Sequence, residues 1–324
     1  MAHENTHSTA FLSTRPGLLL GATFSCLLWG SAFPCIKIAN RLFGVASGDV
    51  PSQLLLAGVR FFLAGLLVLA FLWARRGTLP RPTAADLRPL LLMSVFQTSL
   101  HYGLFYPGVA HTTGSAASVV NGTSVFVTIL CAALVFGQER ITGRKLAACP
   151  LGFAAILVMN LSGLASGGIT SEHMLGNALV LAATTSEAVA VCLIKRYSSH
   201  DLVMLSGCQF AVGGLTLAAI GLAAGGSIHP SGPEAFALLG YMGFISAGAF
   251  SVWSLLIGAN PVSRVAVFSF LTPVFGVLLS TLLLDETQGG SLPTTLLALA
   301  LVCAGIVIVN RASPADHDTS SGRH

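Results

Sequence analysis

The chain has 324 residues, of which 54% are hydrophobic and only 9% are charged, and its formal net charge is +4. A soluble domain carries about 25% charged residues, so this composition leaves too little polar surface for a water-soluble globule. Long apolar runs recur along the chain, each near the ~20 residues that cross a bilayer as a helix. The composition therefore predicts an all-α membrane protein embedded in the lipid bilayer.

Ten transmembrane helices are predicted in chain order. They follow a polar tail, residues 1–16, which is predicted to be disordered and lacks the cleavage site of a signal peptide. A second polar tail covers residues 311–324. The predicted helices are 18–40, 53–74, 89–109, 114–136, 145–161, 174–194, 202–223, 235–257, 262–284 and 293–310.

The second half of the chain repeats the first. Leu54–Leu66 aligns without gaps on Val203–Leu215, with glycine, phenylalanine and leucine at matching positions. We therefore predict two five-helix repeats, residues 17–161 and 174–310. Five is an odd number, so the second repeat inserts upside down relative to the first. Inverted repeats are typical of secondary transporters, with the site in a central cavity at the repeat interface.

Lysine and arginine predict the orientation of the chain. With the N-terminus inside, thirteen of them lie in inner segments and only Arg41 lies in an outer loop. Cytoplasmic loops carry the excess of these residues. Both termini are therefore predicted to be cytoplasmic, in a bacterial inner membrane.

Basic residues form no run longer than Arg75-Arg76, so no nucleic-acid partner is predicted. The seven cysteines lie in apolar runs without metal-ligand spacing, and no nucleotide-binding loop is present. Neither a metal nor a cofactor is predicted. Glu139, Asp285 and Glu286 lie at helix ends and are expected to face solvent.

Three motifs resemble one transporter family. Leu27–Phe33 (LLWGSAF), Ser263–Ala266 (SRVA), and Pro273–Phe275 (PVF) with Glu286 thirteen residues after the proline are similar to signatures of the EamA type in the drug/metabolite transporter superfamily. The resemblance covers about residues 17–311 in two copies. It implies a ten-helix exporter of metabolites, often amino acids or related compounds, or of drugs.

A second resemblance concerns Glu187. The glutamate followed eight residues later by Lys195 is similar to the first helix of small multidrug resistance transporters. That resemblance implies a site where protons and cationic substrates compete. Helix one keeps the interval but reads Trp29 and Lys37, so Trp29 is the repeat partner of Glu187.

Glu187 is the principal candidate for chemistry, because it lies near the middle of an apolar helix. A charge at that depth costs roughly 2.5–3.5 kcal/mol on insertion scales, and such residues usually face a cavity or a partner. A desolvated carboxylate can exchange its proton for substrate. The alternative is a protonated glutamate that is hydrogen-bonded to a neighbouring helix and pins the structure.

Other polar residues at membrane depth are candidates for substrate contact. Arg60 is expected either to hold a substrate carboxylate, to pair with Glu187 or to reach the outer headgroups, and its repeat partner is Gln209. Asn121 is favoured for substrate binding because an amide is costly to bury without a partner. Gln97 and His101 are expected one turn apart on one helix face.

His101 could join a proton path or serve as a satisfied core histidine. Trp29 and Tyr102 supply aromatic surface for a substrate. Pro34 and Pro273 remove backbone hydrogen bonds, which predicts either gating breaks or simple kinks in helices one and nine.

The leading hypothesis is a secondary exporter, coupled to protons, of small metabolites such as amino acids or their derivatives. A multidrug or cation exporter is the first alternative, and an anion carrier is the next. A membrane-embedded enzyme would need clustered nucleophiles, metal ligands or paired acids at membrane depth, and a structural subunit would not need intramembrane charge. The expected partners are a small-molecule substrate, lipid and protons, in a monomer or a homodimer.

Overall fold

The computed structural model describes residues 11–165, 171–284 and 292–310, and within these ranges the regular structure is entirely helical. Asp285 and Glu286, with most of both predicted tails, lie outside the described residues. The uninterrupted helices are α1 (Arg15–Leu42), α2 (Val50–Arg76), α5 (Gly143–Ala165), α6 (Ser171–Arg196), α7 (Leu202–Ala223), α8 (Pro233–Ala259) and α10 (Leu292–Asn310).

Three helices change their winding along their length. They are α3 (Ala84–Met93, a π-helical turn Ser94–Ser99, then Leu100–Ala110), α4 (Gly114–Gly122, Ser124–Leu130, then a π-helical turn Cys131–Val135) and α9 (Val262–Ala266, a 3-10 turn Val267–Phe270, then Leu271–Leu284). π-helical turns are rare and occur frequently at functional sites.

The chain is a membrane protein that crosses the bilayer several times. Within the described residues, α1, α2, α6, α7, α8, most of α4 and most of α9 are seven helices long and apolar enough to span a membrane. Helical structure also lies at the other three predicted positions. Two of these contain shorter apolar helices, Lys145–Val158 and Leu296–Asn310. A count of ten spans stays a prediction.

Helical structure extends into the segment predicted as the N-terminal tail. Residues 11–13 are helical, and the Leu12 carbonyl oxygen accepts a hydrogen bond from Asn260 Nδ2 at 3.0 Å. Thr14 then caps α1, because its side chain accepts from the backbone N–H of Gly17.

Glycines allow α2 and α7 to pack backbone against backbone. A Cβ atom at Gly58 would lie 2.3 Å from the backbone nitrogen of Ala218, and one at Gly65 would lie 2.5 Å from that of Ala211. Residue numbers rise along α2 as they fall along α7, so the two helices are antiparallel. Small residues at such an interface permit close approach of membrane helices.

α1 and α6 occupy equivalent central places. α1 packs on α8 and α9, α6 packs on α3 and α4, and α5 packs on α10. Hydrogen bonds fix two of these pairs: Ser25 Oγ donates to the Ala249 carbonyl at 3.2 Å, and Ser186 Oγ donates to the Phe96 carbonyl at 2.7 Å. Each central helix therefore lies between two helices of the opposite half.

Glu139 ties the end of α4 to the start of α9. Its carboxylate accepts from the Ser263 backbone N–H at 3.1 Å and from Ser263 Oγ at 2.8 Å, and pairs with Lys145 at 3.0 Å. Only 8% of the Glu139 side chain is exposed. The expectation that it faces solvent is wrong, because three donors replace water around the carboxylate.

Asp86 ties the start of α3 to the turn before α7 and makes stability depend on pH. Its carboxylate accepts from Thr83 Oγ1 and backbone N–H and lies 2.7 Å from His200 Nδ1. Hydrogen bonds from Thr83 and then from His200 lower the pKa of Asp86 from 3.8 to about 2. A lowered pKa means that the charged form stabilises the fold above about pH 4 and that this stabilisation is lost as pH falls through about 2.

Asp86→Asn should therefore lower the free energy of unfolding by roughly 1–2 kcal/mol at pH 7, since hydrogen bonds to a charged acceptor are lost. The difference from the wild type should shrink between about pH 4 and about pH 2. Thermal unfolding of both detergent-solubilised proteins across this range measures it. A difference that stays constant down to pH 2 would contradict the assignment.

Candidate functional site

A small cavity of about 40 Å³ lies between five helices. It combines one acid, two indole rings and several hydroxyl groups on otherwise apolar walls. Its lining residues come from α1, α4, α6, α8 and α9: Trp29, Ser124, Val125, Thr128, Glu187, Val191, Trp253, Ala266 and Ser269. A cavity with apolar walls and a few convergent polar groups is the usual form of a small-molecule site.

Glu187 lies in this cavity and is half-buried. It stands sixteen residues after Ser171 and nine before Arg196, which places it about 5 Å past the centre of α6 at 1.5 Å per residue. Among the described residues, no hydrogen bond or ion pair engages its carboxylate. The carboxylate is thus available to a proton or a ligand, and no described residue fixes it by a hydrogen bond.

Trp29 forms the wall facing Glu187. Its ring meets Trp253 edge-on at 5.0 Å between centroids and Phe250 at 4.9 Å. Its indole N–H is buried and has no hydrogen-bond partner. Indole faces attract cations, so the paired rings and the acid together suit a positively charged group.

Pro273 opens the backbone of α9 at the same place. It has no N–H to donate to the carbonyl of Ser269, four residues earlier, and Ser269 lines the cavity. The 3-10 turn that ends at Phe270 comes immediately before the α-helical segment with this proline. In contrast, α1 remains α-helical through Pro34, which is buried.

Arg60 lies apart from the acid. It stands ten residues after Val50, where α2 begins, and is 6% exposed. Its guanidinium carbon is 4.3 Å from the centroid of the Phe61 ring and 6.0 Å from that of Tyr102. Within the described residues it makes no ion pair with Glu187, and its burial does not fit an arginine that reaches the headgroups.

Gln97 and Gln209 form a closed polar contact between α3 and α7. Gln209 Nε2 donates to Gln97 Oε1 at 3.1 Å, and Gln209 Oε1 accepts from Thr98 Oγ1 at 2.9 Å. Gln209 is fully buried. The two amide groups are hydrogen-bonded to each other, so they link α3 to α7 and do not line the cavity.

His101 and Asn121 both contact α6 one turn before Glu187. His101 Nδ1 lies 2.9 Å from the Ala183 carbonyl, and the ring is 7% exposed. Because a carbonyl only accepts, Nδ1 carries the proton. Asn121 Oδ1 accepts a long hydrogen bond of 3.5 Å from Thr184. The structure therefore brings these two residues to the helix that carries the acid, behind the cavity wall.

The sequence patterns did not single out Trp253 or Ser124 as candidates for the site. Tryptophan is scarce here, with three in the chain, and that scarcity was a usable signal for Trp253. Nothing in the local sequence distinguishes Ser124 from other hydroxyl residues on apolar helices.

A bundle of apolar helices around a cavity that contains an acid is typical of membrane transporters. The chain matches the EamA-like transporter family over residues 16–161 and again over 174–311, and it belongs to that family. The resemblance predicted from the three motifs is thereby confirmed.

Individual relatives agree with this class. The uncharacterized inner membrane transporter YedA of Escherichia coli (strain K12) is 30% identical over 300 residues, covering 90% of both chains. A probable amino-acid metabolite efflux pump of the same strain is 28% identical over 315 residues, covering 92% of this chain and 95% of its own. A crystal structure that is 18% identical superimposes with a TM-score of 0.72 over 92% of this chain and 98% of the other, which shows a shared fold.

Proposed function

We propose that the chain is a proton-coupled secondary exporter of small metabolites, such as amino acids or their derivatives, in a bacterial inner membrane. The observation that carries the proposal is the carboxylate of Glu187, which has no described partner and lines one cavity together with Trp29 and Trp253. A carboxylate without fixed partners changes its protonation when a charged substrate enters or leaves. Proton release can then be exchanged for substrate binding at one site.

The proposed architecture is ten helices in two inverted repeats. In support, α2 and α7 are repeat partners and run antiparallel through Gly58, Gly65 and their contacts. The contact of α1 with α8 has its counterpart in the contact of α6 with α3, since α6 repeats α1 and α8 repeats α3. In the same way, the contact of α1 with α9 has its counterpart in the contact of α6 with α4. An inverted pair of repeats with a site between them permits alternating access by rocking one half against the other.

The proposed orientation places both termini in the cytoplasm. The positive-inside bias supports it, because the α2–α3 segment carries Arg75, Arg76, Arg81 and Arg88 while only Arg41 lies in an outer loop. In this orientation the Glu139 tie and the Asp86 tie lie on the cytoplasmic side. For export, substrate enters from the cytoplasm, which is the side where these two ties lie.

The probable amino-acid metabolite efflux pump among the relatives supports amino acids or their derivatives as the substrate class. A multidrug or cation exporter is the second candidate, favoured by the two indole rings beside Glu187. Aromatic faces next to an acid bind lipophilic cations as readily as amines.

Purified protein in vesicles that contain a pH-sensitive dye tests the function. We expect amino acids or their derivatives to change the internal pH in protein-containing vesicles and not in empty ones. A response limited to lipophilic cations would support the second candidate instead. If neither substrate class moves protons, the coupling proposal is wrong.

A further inference from the structure

Arg60 is a buried cation that lacks an anion. Only 6% of the residue is exposed, and its Nε atom has no hydrogen-bond partner. Within the described part of the chain, no ion pair includes Arg60. A buried charge that is not paired is strongly unfavourable, so an anion beside Arg60 would be stabilising.

The groups around Arg60 are aromatic. Its guanidinium carbon lies 4.3 Å from the centroid of Phe61 and 6.0 Å from that of Tyr102, while Tyr106 lies next to Tyr102 at 6.2 Å between centroids. Ring faces stabilise a guanidinium ion, and the Tyr102 hydroxyl group is an acceptor for one of its N–H groups, whereas Nε has no partner. Part of the hydrogen-bonding capacity of the guanidinium group, at Nε, therefore remains unused.

The other half of the protein shows what a purely structural residue does at this position. Gln209 is the repeat partner of Arg60 and is also fully buried. Both ends of its amide are satisfied, by Gln97 and by Thr98. Packing between the halves therefore does not require an unpaired arginine. Arg60 differs from Gln209 in its charge and in having a nitrogen atom without a hydrogen-bond partner.

Packed aromatic side chains lie between Arg60 and the central cavity. Trp29 lines that cavity and also packs against the aromatic cluster that contains Phe61, Phe210 and Phe250. Phe61 stacks on Phe210 at 5.5 Å, and Phe210 meets Phe250 at 4.9 Å. Tyr102 lies beside Arg60, with its ring centroid 6.0 Å from the guanidinium carbon. Packed aromatic side chains therefore link Arg60 to the cavity that Glu187 lines.

We propose that Arg60, with Phe61 and Tyr102, forms a subsite for the carboxylate of a substrate that has an apolar or aromatic body. A guanidinium fork binds a carboxylate through two parallel N–H···O bonds, and the aromatic walls exclude a strongly hydrated anion such as phosphate. The proposal rests on the proposed transport function and extends it. The preferred substrates carry a carboxylate for Arg60, and an amino group, where present, is attracted by Glu187.

Binding to the detergent-solubilised full chain tests the subsite without transport. The probes are 3-phenylpropionate, its neutral amide, inorganic phosphate and tetraphenylphosphonium, followed by tryptophan fluorescence and by the unfolding temperature. We expect the wild type to bind the carboxylate at least tenfold more tightly than the amide and to show no comparable response to phosphate. Equal binding of carboxylate and amide, or of carboxylate and phosphate, would overturn the proposal.

Variants then assign the effect to the guanidinium group. Arg60→Gln, which copies the residue of the other half, should weaken carboxylate binding at least tenfold and leave tetraphenylphosphonium binding unchanged. Arg60→Lys should keep part of the affinity, because it keeps the charge but loses the fork. Arg41→Gln removes an exposed charge from the outer end of α1 and should change nothing. A folded Arg60→Gln protein with wild-type carboxylate affinity would refute the subsite.

Failure of this proposal is distinguishable from failure of the proposed function. If proton-coupled transport requires Glu187 but Arg60→Gln transports carboxylates normally, the subsite is wrong and the exporter stands. If carboxylate binding depends on Arg60 while no substrate moves protons, the subsite stands and proton coupling is wrong. Should Arg60→Gln not fold, the wild-type comparison of carboxylate with amide and the Arg60→Lys variant still decide the proposal.

Discussion

Glu187→Gln should abolish substrate-driven proton movement while the protein remains folded. Glutamine keeps the shape and hydrogen-bonding capacity of the side chain but cannot release a proton, and no described partner is lost because the carboxylate has none. We expect at least a hundredfold lower proton flux in dye-loaded vesicles. The unfolding temperature should stay equal or rise slightly, because a charge at membrane depth is unfavourable.

Two further variants separate proton exchange from loss of negative charge in general. Glu187→Asp keeps an ionisable group and should retain part of the flux. Glu172→Gln removes an exposed acid from the first turn of the same helix and should behave as the wild type. Wild-type proton flux in Glu187→Gln would exclude the coupling role and leave Glu187 as a residue of the cavity wall.

The pairing of Trp29 with Glu187 followed from the repeat alone. Both residues precede a lysine by eight positions in corresponding helices, which predicts equivalent places on the two central helices. The structure puts both on the wall of one cavity. Repeat relations are predictable from sequence because they compare one segment with another and need no knowledge of how the helices are rotated.

Contacts that depend on helix rotation were not predictable. An α-helix over 89–109 places Gln97 and His101 on one face, yet Gln97 contacts α7 and His101 contacts α6. The π-helical turn Ser94–Ser99 explains the difference. Its i→i+5 hydrogen bonds widen the helix, so the residues after the turn point away from the face that a regular α-helix would give them. No feature of the sequence SVFQTS predicts that turn.

The depth of Arg60 was also underestimated from the sequence. The predicted helix began at residue 53, whereas Asp49 caps α2 and the helix begins at Val50. The cap therefore places the start of the helix three residues further from Arg60 than the hydrophobic boundary does. The rings of Phe61 and Tyr102 enclose the guanidinium group, and a helix boundary does not predict these contacts.

Gly58→Ala should destabilise the protein more than most single-methyl changes. The new Cβ would lie 2.3 Å from the backbone nitrogen of Ala218 and 2.7 Å from the carbonyl oxygen of Gly214. No side-chain rotation relieves a clash with backbone, so α2 and α7 must move apart. Overpacking typically costs about 1–3 kcal/mol, and we expect the upper end of that range or failure to accumulate, measured by thermal unfolding and by size-exclusion chromatography in detergent.

The contact is reciprocal, which gives the prediction a sharper form. A Cβ at Gly214 would lie 2.7 Å from the carbonyl oxygen of Gly58, so separating the helices once relieves both clashes. Destabilisation in the double variant Gly58→Ala/Gly214→Ala should therefore be less than the sum of the single effects. Gly103→Ala in α3 is the control, because nothing lies within 4 Å of its added Cβ. Additive losses, or equal losses in the control, would show that close contact between α2 and α7 does not hold the two halves together.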